Sequence, residues 1–152
     1  MILSDEILMR VAIGLLGVCG FLVARLINNH KVKNKPLVCP VGFDCHAVVH
    51  SGYSKFLNIP LETLGMAYYL FIAFSYFLSI FFSSMLPDIF VALVAISSFG
   101  AFLFSLYLIG VQLFVLKKGC SWCFVSAFIS VAIFVLTARS YGFSFVESIL
   151  LK

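Results

Sequence analysis

Charge is scarce in this chain. Ten basic and six acidic residues make up 11% of 152 positions, where a soluble domain carries about 25%. That scarcity excludes a soluble fold. Basic blocks alternating with aromatics are missing too, and the net charge is only +4, which removes nucleic acid as a partner. The positively charged start of a secretory signal is absent: Asp5 and Glu6 precede the first apolar run, and Arg10 is the only basic residue there. No small-residue cleavage pattern follows, so this run reads as a retained span. There is no internal repeat or low-complexity tract, and the stretch from Arg139 to Lys152 is too short for a further domain.

What is present is apolar length. Hydrophobic residues make up 63% of the sequence, with a mean hydropathy of +1.17. A bilayer core is crossed by about 20 apolar residues of helix. Four stretches meet that length: about 7–27, 64–84, 89–116 and 123–138. The first carries Arg10 and Arg25 near its ends, where long side chains reach the interface. Met85-Leu86-Pro87-Asp88 reads as a tight turn, with Pro87 leading into the third helix. Arg139 ends the fourth span. The expected fold is an all-α membrane protein, a four-helix transmembrane bundle forming one domain over 1–152.

One connection is far longer than a bundle needs. The roughly 36 residues of 28–63 join the first two spans. They contain Cys39 and Cys45, while Cys120 and Cys123 lie in "CSWC" just before the fourth span. With four spans, the loop between one and two shares a membrane face with the loop between three and four. All four cysteines therefore lie on one side. Only Cys19 is elsewhere, inside the first span, where it reads as a packing residue.

Four readings of that quartet are open. A zinc site wants two paired ligand knuckles. "CSWC" is one, but Cys39 and Cys45 are poorly spaced for the other, although His46 and His50 could complete a Cys/His set. Two static disulfides are a second reading, against which a CxxC loop is small and usually redox-active. Unrelated buried cysteines are a third. The fourth is redox exchange. A helix N-terminus carries partial positive charge and stabilises a thiolate, and Lys117 and Lys118 add to it. Cys120 would lie nearest the aqueous face and Cys123 one turn deeper, at the bilayer boundary. That arrangement joins a water-soluble thiol partner to a lipid-soluble acceptor, for which membrane quinones are the natural candidates.

"CPVGFDCHAVVHSGYSKFLNIPLETLGMAYY" (39–69) followed by "CSWCFVSA" (120–127) resembles the vitamin K epoxide reductase family, most of all its bacterial and archaeal members. The order and spacing of the cysteine pairs, a loop serine, an "IP" segment and a glycine-led span all agree. The resemblance runs from the first span to the fourth. It implies a four-helix bundle around a quinone pocket (ubiquinone or menaquinone type), capped by the first loop. It implies Cys39 and Cys45 as the shuttle pair, and Cys120 and Cys123 as the pair beside the quinone. A reduced thioredoxin-fold (DsbA-like) partner would attack at Cys39, Cys45 would pass electrons to Cys120, and Cys123 would face the quinone. Ser51 matches the family serine and would hydrogen-bond a quinone carbonyl, or else make a turn contact. No metal is assigned.

Two positions depart from the animal members. Their tyrosine four residues after the second CxxC cysteine is Ala127 here, and their asparagine at the start of the second span is Leu61. Both absences favour quinone-coupled disulfide formation over epoxide reduction. The DsbB class of oxidases places its CxxC in the first loop, unlike this chain. A membrane scaffold with a structural Cys/His zinc site is the non-enzymatic alternative. Glu62 reads either as a polar group at the pocket mouth or as a solvated acid at a helix start. Ser126 and the phenylalanines of the third span read as packing or lipid-facing residues, and His46 and His50 as exposed loop residues.

Orientation divides the arguments. Arg10, Arg139 and Lys152 lie on the face of the termini, against Arg25, Lys31, Lys33, Lys35, Lys55, Lys117 and Lys118 on the cysteine face. The positive-inside rule would put the cysteines in the cytoplasm, whereas disulfide formation ordinarily belongs outside it. The expectation is a multi-pass protein of the cell membrane with its cysteine face extracytoplasmic, the inverted orientation being the alternative.

Overall fold

A computed structural model of the chain describes residues 2–36, 39 and 44–150. Five helices carry it: α1 (Ile2–Val32), α2 (Cys45–Val49), α3 (Leu61–Phe81), α4 (Asp88–Gly110) and α5 (Ser121–Leu150). Four of them include segments long and apolar enough to cross a membrane: Ser4–Val32, Leu61–Phe81, Asp88–Leu116 and Ser121–Ser140. Helices suit that setting because every backbone group within them is satisfied internally. Leu15, Leu22, Phe74, Leu103 and Phe128 are exposed on the outside of the bundle, where a lipid phase would cover them. This is a membrane bundle.

The ends of the spans differ from the hydropathy reading. α1 runs past Asn28-Asn29 to Val32 and stops where Asn34 takes a left-handed φ of 49°. There the N–H of Lys35 returns to the carbonyl of His30 at 3.0 Å, a helix-ending arrangement that Asn tolerates. α5 does not stop at Arg139 but continues to Leu150, because one arginine ends an apolar run without ending a helix. α4 passes into a π-helical stretch, Val111–Leu116, closed by Lys117 at a left-handed φ of 52°. The turn before α4 falls where Pro87 predicts it.

α1 packs most closely on α3, α4 on α5, and α1 on α5, while α3 and α4 touch little. Small residues allow the α1–α3 approach. A Cβ at Gly17 would lie 3.1 Å from the backbone nitrogen of Ala73, and one at Gly20 would overlap the Tyr69 ring. Below the site, Ile13, Ile72, Tyr76 and Ile133 form the buried centre. Cross-helix bonds tie α3 to α5: Tyr69 donates to the Ser126 carbonyl at 2.6 Å and meets the Ser126 hydroxyl at 2.9 Å, and the Tyr76 and Thr137 hydroxyls meet at 2.9 Å. Arg10 does more than reach for the interface, since it donates to the Ser79 carbonyl on α3 at 3.1 Å.

The first loop is structured where it is described. α2 is capped by Asp44, whose carboxylate accepts the Ala47 N–H at 3.1 Å. A 3-10 turn, Gly52–Ser54, leads to a two-residue hairpin of β1 (Lys55–Phe56) and β2 (Ile59–Pro60). Leu57 and Asn58 both hold positive φ, the backbone a tight hairpin turn demands.

Candidate functional site

The first loop and the start of α5 meet over one small apolar cluster. Cys45, Val48 and Val49 of α2 pack there with Ile27 of α1 and with Cys120. Cys39 and Cys45 are joined as a disulfide, with Cα atoms 6.0 Å apart. The Cys120 sulfur lies within 4.8 Å of both of theirs. Cys45 is 1% exposed and Cys120 0%, whereas Cys39 is only partly buried. Thus the outer pair sits against the inner pair, with Cys39 its more accessible member and Cys45 enclosed.

Cys120 sits just ahead of α5 and caps it. Its carbonyl accepts the first intrahelical bond, from Phe124 N–H at 3.0 Å, and its sulfur accepts the Cys123 N–H at 3.3 Å. Donation from the Cys123 thiol holds the Cys120 thiol below its ordinary pKa. Burial opposes this, and the N–H groups of Cys123 and Trp122 add to the lowering. A lowered pKa favours the thiolate, the form that attacks a disulfide.

Cys123 borders a partly open cavity of about 110 Å³. Ala24 and Ile27 of α1, Gly65 of α3, Leu108 of α4 and Ala127 of α5 line it, and Val48 and Val49 of the loop cover it. Leu61 and Ala127, the two departures from the animal pattern, are both on its wall. No phenylalanine among the described residues is, in line with the packing reading of those side chains. Ser51 lines the cavity, and its hydroxyl donates to the Val48 carbonyl at 2.7 Å, the turn contact that the sequence allowed for it.

Of the two readings of Glu62, the structure favours the polar group at the cavity, while Cys19 departs from its packing reading. Glu62 is not a solvated acid: it is 8% exposed on the cavity wall, paired with Lys31 at 3.1 Å, and Lys31 also donates to Ser54 at 3.1 Å. A buried carboxylate in apolar surroundings needs such a partner. Cys19 is not packed inside but faces out of the bundle. His46 and His50 are exposed and contact one another, with ring centroids 4.2 Å apart. Neither belongs to the sulfur group, and the disulfide ties up two of its three sulfurs, so the Cys/His zinc set of the scaffold alternative is not assembled among the described residues.

Sequence reasoning passed over Gln112. It is 5% exposed within the π-helical stretch, borders the cavity, and accepts the Cys120 N–H on its Oε1 at 3.2 Å. A lone amide in the apolar third span was the available signal.

A membrane bundle holding a disulfide against a free CxxC thiol defines the class: a membrane protein built for thiol–disulfide exchange. The sequence matches the model of the vitamin K epoxide reductase family over residues 11–138, and the chain belongs to that family. It is accordingly a membrane thiol–disulfide oxidoreductase. No curated protein matches the sequence as a relative.

Proposed function

We propose that this chain is a quinone-dependent oxidoreductase that reoxidises a thioredoxin-fold (DsbA-like) carrier and so drives disulfide formation, using a ubiquinone or menaquinone. One observation carries the reading: the Cys120 sulfur lies within 4.8 Å of the Cys39–Cys45 disulfide, while Cys123, one turn deeper, borders the cavity. Cys39, the more exposed sulfur, receives the carrier's attack. The carrier dithiol becomes a disulfide, and Cys39 and Cys45 become thiols. Cys45, enclosed beside Cys120, then attacks the inner disulfide. The outer disulfide re-forms, and Cys120 and Cys123 are left as thiols. Those thiols give two electrons and two protons to the quinone, which leaves as hydroquinone as the inner disulfide closes.

The apolar Leu61 and Ala127 on the cavity wall support a quinone over the epoxide substrate of the animal members. We place the enzyme in the cell membrane as a single domain with its cysteine face outside the cytoplasm. The decisive test adds a reduced thioredoxin-fold protein to the purified chain and follows quinone absorbance. Quinone should be consumed in step with carrier oxidation, and Cys120→Ala or Cys123→Ala should abolish it. Normal turnover in Cys123→Ala would overturn this electron path.

A further inference from the structure

We propose that the carboxamide of Gln112 holds a quinone carbonyl beside Cys123, as a binding residue outside both cysteine pairs; this rests on the quinone reading above. Three observations lead there. The first is orientation. Oε1 of Gln112 faces a donor, the backbone N–H of Cys120, at 3.2 Å. An N–H requires an acceptor, so the oxygen is fixed toward Cys120 and the NH2 group is turned away from it.

The second is an available donor. Gln112 is 5% exposed in a span with no other amide side chain, and no hydrogen bond from its NH2 is found among the described residues. That amide is not sealed in the protein interior, so a ligand in the cavity can reach it. Its side chain borders the cavity shared with Cys123 and Ser126.

The third is that neighbouring polar groups are engaged. The Ser51 hydroxyl donates to Val48, the Ser126 hydroxyl is bonded to Tyr69, and Lys31 is held by Glu62 and Ser54. Ser105 also lines the wall, but seven residues earlier, and Tyr53 stands half-exposed on the capping loop. Gln112 is the buried donor tied directly to the CxxC.

The π-helical stretch gives this position a rigid setting. The Gln112 carbonyl accepts the N–H groups of both Lys117 and Lys118, the latter at 3.2 Å. Such widened turns recur at functional sites. The residue is thus anchored through its backbone and its Oε1, leaving the NH2 for the ligand. As the quinone takes electrons its carbonyl oxygen gains negative charge, and a fixed N–H donor stabilises that charge without reorganising. Gln112 gives up no proton; both come from the thiols.

The test uses the full-length protein in detergent with short-tailed ubiquinone and menaquinone analogues carrying 13C-labelled carbonyls. Wild type, Gln112→Met and Gln112→Glu are compared. Gln112→Glu keeps an oxygen for the Cys120 N–H and, read at a pH where its carboxyl is ionised, carries no donor. In both variants the quinone KM should rise at least about tenfold, and the infrared carbonyl band of bound quinone should move up toward the free value. The rate at which dithiothreitol reduces the Cys39–Cys45 disulfide should stay unchanged, showing an intact thiol side. If Gln112→Met does not fold, Gln112→Glu carries the test alone. An unchanged KM with an unshifted carbonyl band would overturn the assignment and leave the quinone reading standing. Wild type that neither binds nor reduces quinone would overturn both.

Discussion

The sulfur of Cys120 accepts the backbone N–H of Cys123 at 3.3 Å, so the first thiol of "CSWC" caps the helix that carries the second. The cap and the chemistry share one atom. Because the Cys123 thiol also donates to that sulfur, the Cys120 thiolate is favoured. Thiolate forms as pH rises, and a lowered pKa brings it in at lower pH. In a Cys19→Ala protein with the outer disulfide intact, the first thiolate should appear below the ordinary thiol range when followed by ultraviolet absorbance. Adding Cys123→Ala removes the thiol donor, and the Cys120 midpoint should climb. The backbone N–H groups at 122 and 123 still oppose burial there, so the climb should stop short of what burial alone would give. An unmoved midpoint would assign the effect to the backbone alone.

Glu62 and Lys31 should behave as one unit. Their side chains are 7% and 14% exposed, so removing one partner leaves the other charge buried. Glu62→Ala should cost about 3–5 kcal/mol, measured by denaturation in detergent. A Lys31→Met, Glu62→Leu double variant, with no charge to bury, should recover most of that loss. Equal losses in single and double variants would mean that Lys31 finds water once Glu62 is gone.

Gly20 sets the approach of α1 to α3. A Cβ there would overlap the Tyr69 ring, whose hydroxyl is bonded to Ser126 on α5. Gly20→Val should destabilise the bundle by about 1–3 kcal/mol through overpacking. It should also shift Tyr69 fluorescence or its hydrogen-bonded hydroxyl resonance. Gly100, with open space around it, is the control: Gly100→Ala should not lower the melting temperature.

Much of this was legible before any coordinates. Four apolar runs of bilayer length gave the four spans, and even topology put both cysteine pairs on one face. Pro87 marked the start of α4 because its fixed φ suits a helix start. Hydropathy misplaced the far ends, since Asn28-Asn29 and Arg139 are polar yet remain helical. The site was less accessible. That Glu62 is buried depends on Lys31 reaching it from another helix, which sequence separation conceals. Cys19 lies in an apolar span either way; whether it faces core or lipid depends on helix rotation, which a uniformly apolar helix does not encode. Gln112 was hidden by the same uniformity, and by a π-helical stretch that shifts the face presented by its last turns.

The relay can be caught in the act. If Cys45 is the link to Cys120, removing the other member of each pair should leave these two with only each other. Exchange passes through a mixed disulfide that a neighbouring thiol resolves. In a Cys39→Ala, Cys123→Ala double variant, both resolving thiols are gone. The Cys45 and Cys120 sulfurs already lie within 4.8 Å, in a cluster with Ile27 and Val48 that excludes bulk solvent. A disulfide needs Cα atoms within about 7 Å, so trapping would also place α2 over the start of α5. Mild oxidation should therefore join the first loop to the start of α5. A protease site placed in the 83–87 turn would cut the chain between them, and the fragments should stay together until reductant is added. A Cys39→Ala, Cys120→Ala variant offers Cys45 only the deeper Cys123 and should trap far less. Fragments of folded, oxidised double variant that separate without reductant would sink the relay, because no other thiol on that face could carry electrons inward.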